Sequence, residues 1–232
     1  MKPYVRNGLT VSALILLIMG GMFAWAVYNL PMEGPFPLHW NAQGVADRFG
    51  DRGDALTGLG ICVGVAAFVS LLLAVMPSID PRQRNIDSSR PAYVAIWIGV
   101  IALLAVVQGV MTWMMIDTAA SGPETISVQP LRWIMLGICA LFILIGNFLP
   151  KTRSSWALGI RTPWTLSNET VWQRTHRLAG PLFMLAGLIG GAGALLAQGY
   201  WITIATLVPV LGVSLFTIAY SYFAYRQETA DA

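Results

Sequence analysis

Two short stretches of this chain hold residues able to do chemistry. The first, LPMEGPFPLHWNAQGVADRFGDRGD, brings His39, Asn41, Asp47 and Asp51 close together, with Trp40 among them. An imidazole and two carboxylates are donors that a divalent cation could take. Their spacing matches no metal-ligand pattern. The plainer reading is turn-forming Asn and Asp, ion pairs to Arg48 or Arg52, and a hydrogen-bonded His. The second stretch, GIRTPWTLSNETVWQRTHRLAG, carries Arg161, Arg174, His176 and Arg177 together with Trp164 and Trp172. Forked arginine donors suit a lipid phosphate, a substrate phosphate or an acidic partner surface. In an enzyme of lipid or phosphate compounds, His176 would be the general base, with Arg161 and Arg174 gripping the phosphate. Glu169, the nearest carboxylate, lies two helical turns from His176 and is too far for a direct bond. Basic and aromatic residues also collar ordinary membrane helices at their inner ends, so at this point the alternatives stay open.

The elements that must position these residues are membrane spans. Of the 232 residues, 56% are hydrophobic and 11% charged, against about 25% charged in a soluble domain. Six apolar runs, 9–30, 56–76, 92–116, 131–149, 182–197 and 202–223, are each long enough to cross a bilayer or nearly so. Only a helix satisfies its own backbone there. The fold class is therefore all-α: a polytopic bundle of six transmembrane helices. Of the 14 Lys and Arg, all but Arg48, Arg52 and Arg132 fall at the N-terminus, in the loops after spans 2 and 4, or in the C-terminal tail. The positive-inside bias puts both termini and the 146–180 loop in the cytoplasm, with the 31–55 loop, the Glu124 loop and the Gln198 turn outside. Lys2, Arg6 and Ala24-Trp25-Ala26 resemble a signal peptide, but the apolar run is long for one, and an uncleaved first span is expected. Three segments follow: 1–76 with spans 1–2, 77–145 with spans 3–4, and 146–232 with the long inner loop and spans 5–6.

Within the spans, Cys62 and Cys139 read as small packing residues without a cofactor. Basic residues confined to loops give no sign of direct nucleic-acid binding. Gln108 and Thr112 lie one turn apart on one face of span 3, and Gln108 reads as an interhelical hydrogen-bonding group rather than part of a solute path. No ionisable group lies near a span centre, which weighs against a transporter or channel. Gly60 with Gly64, and Gly187 with Gly191, have the spacing of close helix contacts, and Pro209 is expected to kink span 6. The 31–55 loop is too rich in Pro and Gly for a long helix, with HWNAQG extended and turning at Asn41 and Gly44. In the inner loop, Thr162 precedes a proline and is pushed out of the helical region. Ser167 is a plausible N-cap with Glu169 in the first turn. Val171, Trp172, Thr175, Leu178 and Ala179 then form the apolar stripe of a short helix lying on the membrane surface before span 5.

GNFLPKTRSSWALGIRTPWTLSNETVWQRTHRLAG resembles the signature of the SdpI family of bacterial membrane proteins. LPMEGPFPLHWNAQGVADRFG resembles the N-terminal DUF1648-type module associated with that family, whose pattern runs LP…P.H.N..G..D..G. Both occur in the expected order. One departure is that the family pattern carries an Asn a few residues before GIRTPW, where Ser154 and Ser155 stand here. The resemblance implies a non-enzymatic, multi-pass protein of the bacterial cell membrane. Its partners would be the lipid bilayer, a secreted peptide toxin outside, and a cytoplasmic transcriptional repressor held at the membrane. Candidate outer contacts are His39, Trp40, Asn41 and Asp47. Candidate inner contacts are Arg161, Thr162, Trp164, Trp172, Arg174, Thr175, His176 and Arg177.

Overall fold

The computed structural model describes residues 1–41, 45–121 and 129–230. The Gly44 turn and the Glu124 loop lie outside the described residues. Six helices are long and apolar enough to cross a membrane: α1 (Pro3–Asn29), α2 (Arg52–Ile79), α4 (Arg90–Ser121), α5 (Gln129–Phe148), α7 (Glu169–Leu196) and α8 (Tyr200–Ala230). Two short helices, α3 (Gln83–Ser88) and α6 (Pro163–Ser167), join them at one end. Helix α4 packs against α1 and α2, helix α7 against α5 and α8, and α4 on α5 joins the two groups. Large apolar side chains such as Leu17, Phe68, Leu188 and Leu215 point outward, as expected where the solvent is hydrocarbon.

Small residues and buried polar groups set the helix contacts. At Gly187 an added Cβ would lie 2.8 Å from the Cys139 carbonyl oxygen and 2.7 Å from Ile143, so only glycine lets α7 come this close to α5. At Gly64 no described atom of the chain would lie within 4 Å of an added Cβ, so this glycine makes no close contact between helices of the same chain. Gln108, fully buried on α4, donates to the Met19 carbonyl of α1 at 3.0 Å. It forms the interhelical bond expected of it.

At one end, β1 (Phe36–Trp40) and β2 (Ala46–Gly50) form an antiparallel hairpin. This hairpin adds to the extended loop expected from sequence. Its anchor is Phe36, fully buried among Ala26, Leu30, Ala55, Leu59 and Met115. Asp51 then caps α2 and forms a reciprocal capping box with Asp54. Its carboxylate is thereby committed to the Asp54 amide. Arg52 reaches back to the Val27 and Leu30 carbonyls, closing the end of α1 rather than pairing with Asp47 or Asp51.

The largest correction concerns residues 169–180. They are the first turns of α7, which runs unbroken from Glu169 to Leu196 through Pro181. There is no separate surface helix. The stripe of Val171, Trp172, Thr175 and Ala179 is buried against protein, so it has no need of the bilayer. The cap is Asn168, whose side-chain oxygen accepts from the Thr170 and Val171 amides. Ser167 instead ends α6 and donates to the Trp164 carbonyl. Asx at a cap and Ser in a turn are near-equivalent choices, and the extended backbone of Asn168 (φ −141°, ψ 121°) decides between them.

Candidate functional site

The segment between α5 and α6 is a fixed plug. After Pro150 the chain turns inward at Thr152, whose carbonyl accepts from Trp172 Nε1 at 3.1 Å and from Gln173 at 3.2 Å. Asp80, 2% exposed, takes the Trp156 and Ala157 amides on Oδ2 at 2.9 and 3.0 Å. Its Oδ1 accepts from the Arg82 amide at 2.7 Å. Amides on a buried carboxylate satisfy both sides of a costly desolvation. Arg82 donates to Ser154 Oγ and to the Leu166 carbonyl, both at 2.6 Å. Asn85 donates to the Ser154 carbonyl at 2.7 Å. The loop after α2 thus clamps the loop after α5.

The GIRTPW string is built around His176. Its Nε2 accepts the Ile160 amide at 2.9 Å, and its Nδ1 donates to the Trp172 carbonyl at 2.8 Å. Both ring nitrogens are used, and the pattern fixes the neutral Nδ1–H tautomer. The ring stacks on Trp172, with centroids 3.9 Å apart and planes at 15°. Gly159 lies flat against that pair with φ +115°. A Cβ there would fall 2.5 Å from the Trp172 ring and 2.6 Å from His176 Nε2. Glycine is required on both counts. Thr162 caps α6 in a capping box with Thr165 and touches Ser221 Oγ of α8 at 3.0 Å. Its extended backbone (φ −103°, ψ 160°) is what the following proline demands.

The sequence-predicted inner residues therefore divide. Trp172, Thr175 and His176 are fully buried and Thr162 is 7% exposed. Thr162, Trp172 and His176 hold the plug, Thr175 is buried on the same face of α7, and none of the four offers a surface. Arg161, Arg174 and Arg177 are exposed and Trp164 half-buried. Trp164 packs on Tyr222, Arg174 pairs with Glu228 of α8 at 3.2 Å, and Arg161 donates to the Trp156 carbonyl. Asp80, Arg82 and Asn85 were missed. They sit some seventy residues away in sequence, and nothing local marks a residue that serves a distant loop.

At the other end, His39 Nδ1 and Asp47 Oδ1 lie 2.6 Å apart across the hairpin, and both are exposed. Asn41 accepts the Val45 amide at 3.0 Å. Trp40 is half-buried beside Met111, Met114, Leu131 and Ile134. His39, Asn41 and Asp47 thus close the hairpin on itself. Among the described residues no group of three or more His, Cys, Asp and Glu is placed to hold a metal ion.

Residues 151–221, which hold the plug, α6, α7 and most of α8, match the SdpI/YfhL protein family. The chain carries an SdpI-family domain. It is also similar to the Immunity protein SdpI of Bacillus subtilis (strain 168), with 32% identity over 94 residues. That alignment covers 40% of this chain and 45% of the relative, so the chain matches somewhat less than half of that protein's length. No solved structure matches the chain. With six apolar helices and this domain, the chain is a multi-pass bacterial membrane protein.

Proposed function

We propose that the chain is an immunity-type membrane protein that protects its host from a membrane-active peptide or related envelope stress. The match of residues 151–221 to the SdpI/YfhL family carries this reading, together with the likeness to a protein named for immunity. In this reading the basic end faces the cytoplasm, following the positive-inside bias. The hairpin, with His39, Trp40, Asn41 and Asp47, meets the peptide outside. Arg161, Trp164, Arg174 and Arg177 line an inner surface that receives a cytoplasmic protein, a transcriptional repressor on the family resemblance. Thr162, Trp172 and His176 serve that surface by fixing the loop beneath it, and Thr175 is buried behind it.

The enzyme reading has less support. A general base needs a free nitrogen within reach of substrate, and both nitrogens of His176 are bonded within the protein. The proposal is tested by deleting the gene and challenging cells with membrane-active peptides. Increased killing, reversed by the wild-type gene, is expected. Unchanged survival across the panel would remove the reading.

A further inference from the structure

We propose that the groove between the GIRTPW loop and the adjoining parts of α7 and α8 is a binding site for one anionic phospholipid. Its phosphate pairs with Arg161, and one acyl chain lies against the exposed Ile218, with Phe183 at the floor of the groove. The groove has a volume of about 270 Å³ and runs from Gly159–Thr162 to Phe183 on α7 and to Ser214, Thr217 and Ile218 on α8.

Arg161 stands at its mouth, exposed. One guanidinium nitrogen donates to the Trp156 carbonyl, which fixes the head group's position. Among the described residues the nearby carboxylates are engaged elsewhere: Glu228 with Arg174, and Glu169 with Arg153 at 3.8 Å. Among the described residues the Arg161 charge has no acidic partner, and its remaining donors suit phosphate oxygens.

The walls behind Arg161 have the opposite character. Ile160, Phe183 and Ile218 are apolar. Ser214 and Thr217 donate back to the Val210 and Val213 carbonyls at 2.8 and 2.9 Å. Their hydrogens are used within α8, so they present no donor to an occupant. Such a surface accepts a hydrocarbon chain and gives nothing to a second phosphate. Both α7 and α8 are membrane-crossing candidates, and in this proposal the groove adjoins the layer where acyl chains lie. A free phosphate would leave the apolar wall unused. A zwitterionic lipid already carries its own cation beside the phosphate, and gains less from Arg161. The chemistry that uses both halves is a phospholipid of net negative charge.

This inference does not depend on the immunity reading, and its test needs only the purified full chain in neutral detergent. Native mass spectrometry or titration would compare phosphatidylglycerol with phosphatidylcholine of the same acyl chains. One arginine near an anionic head group corresponds to about a fivefold preference. Wild type is expected to favour phosphatidylglycerol by that factor. Arg161→Gln is expected to lose the preference, and Arg84→Gln, an exposed arginine at the same end, to keep it. Ile218→Trp, on the exposed face of α8, is expected to weaken both lipids by filling the groove. Equal binding of the two lipids by wild type would overturn the proposal. So would full preference in Arg161→Gln, unchanged binding in Ile218→Trp, or equal affinity for glycerol phosphate without acyl chains.

Discussion

His176 looks from sequence like the one histidine able to do chemistry at the basic end, and the structure gives it a packing role instead. Its two bonds tie the Ile160 amide to the Trp172 turn of α7. Replacing it with alanine removes the stack on Trp172 and leaves a buried amide unpaired. A buried donor without a partner costs about 1–3 kcal/mol. His176→Ala is expected to lower the thermal midpoint while any protein that remains folded keeps its function; a folded, fully stable but inactive variant would restore the catalytic reading. Gly159→Ala belongs to the same lock. Its positive φ alone is worth about 1–3 kcal/mol of strain to a non-glycine residue, before the collision with both rings. It should destabilise at least as much as His176→Ala in the same melt, and a neutral effect would mean that the loop is not held as described.

Asp87 supplies the pH dependence at this scale. Lys2 binds both its oxygens, at 2.7 and 2.8 Å, and Tyr4 donates to it at 2.8 Å. These bonds, the Lys2 hydrogen bond above all, hold its carboxyl below the usual carboxylate value of 3.8. A carboxyl acidified by folding stabilises the native state above its unfolded pKa, and that contribution fades as pH falls through the folded one. Acid unfolding of wild type below about pH 4 should therefore be steeper than that of Asp87→Asn. Parallel acid limbs in the two melts would contradict the link between Lys2 and α3. The pair is partly solvent-exposed, so the effect is a modest one.

At the scale of elements, the spans were legible because hydrocarbon imposes one demand along some twenty residues, and the chain meets it six times. The family string was legible as a string, but its shape was not. Its apolar stripe at helical spacing is the same whether it faces lipid or protein, and only the plug of residues 152–162 decides which. The hairpin was illegible for a different reason. Its strands are short, Pro35 precedes the first and Pro37 lies within it, and its buried anchor, Phe36, packs against helices on either side in sequence. Asp80 illustrates the general case: nothing local in the sequence marks it, yet it holds three amides. Asp80→Asn keeps the shape and loses the charge-assisted part of those bonds, worth about 1.5–3 kcal/mol each at most. Limited proteolysis within 152–162 should become faster in that variant, and unchanged cleavage would show that the clamp does not hold the loop. Asp51→Ala tests the other end: loss of an N-cap costs about 1 kcal/mol, and the hairpin should exchange its amides faster.

At the scale of the whole molecule, the chain has two unlike ends. One is a small hairpin closed by His39 and Asp47. The other gathers the N-terminus, the 80–89 loop, the plug, α6 and the end of α8 into one bonded unit. An end built this rigidly suits the presentation of a fixed basic surface, and the helices between the ends are joined by close contacts such as Gly187 on Cys139. Protection is tested most directly by the concentration of membrane-active peptide that halts growth of a strain lacking this gene, complemented with wild type or with the His39→Ala, Asp47→Ala double variant at equal membrane abundance. Wild type should restore resistance and the double variant should restore much less. Equal resistance in the empty-vector strain and the wild-type strain, for every peptide tried, would contradict the account.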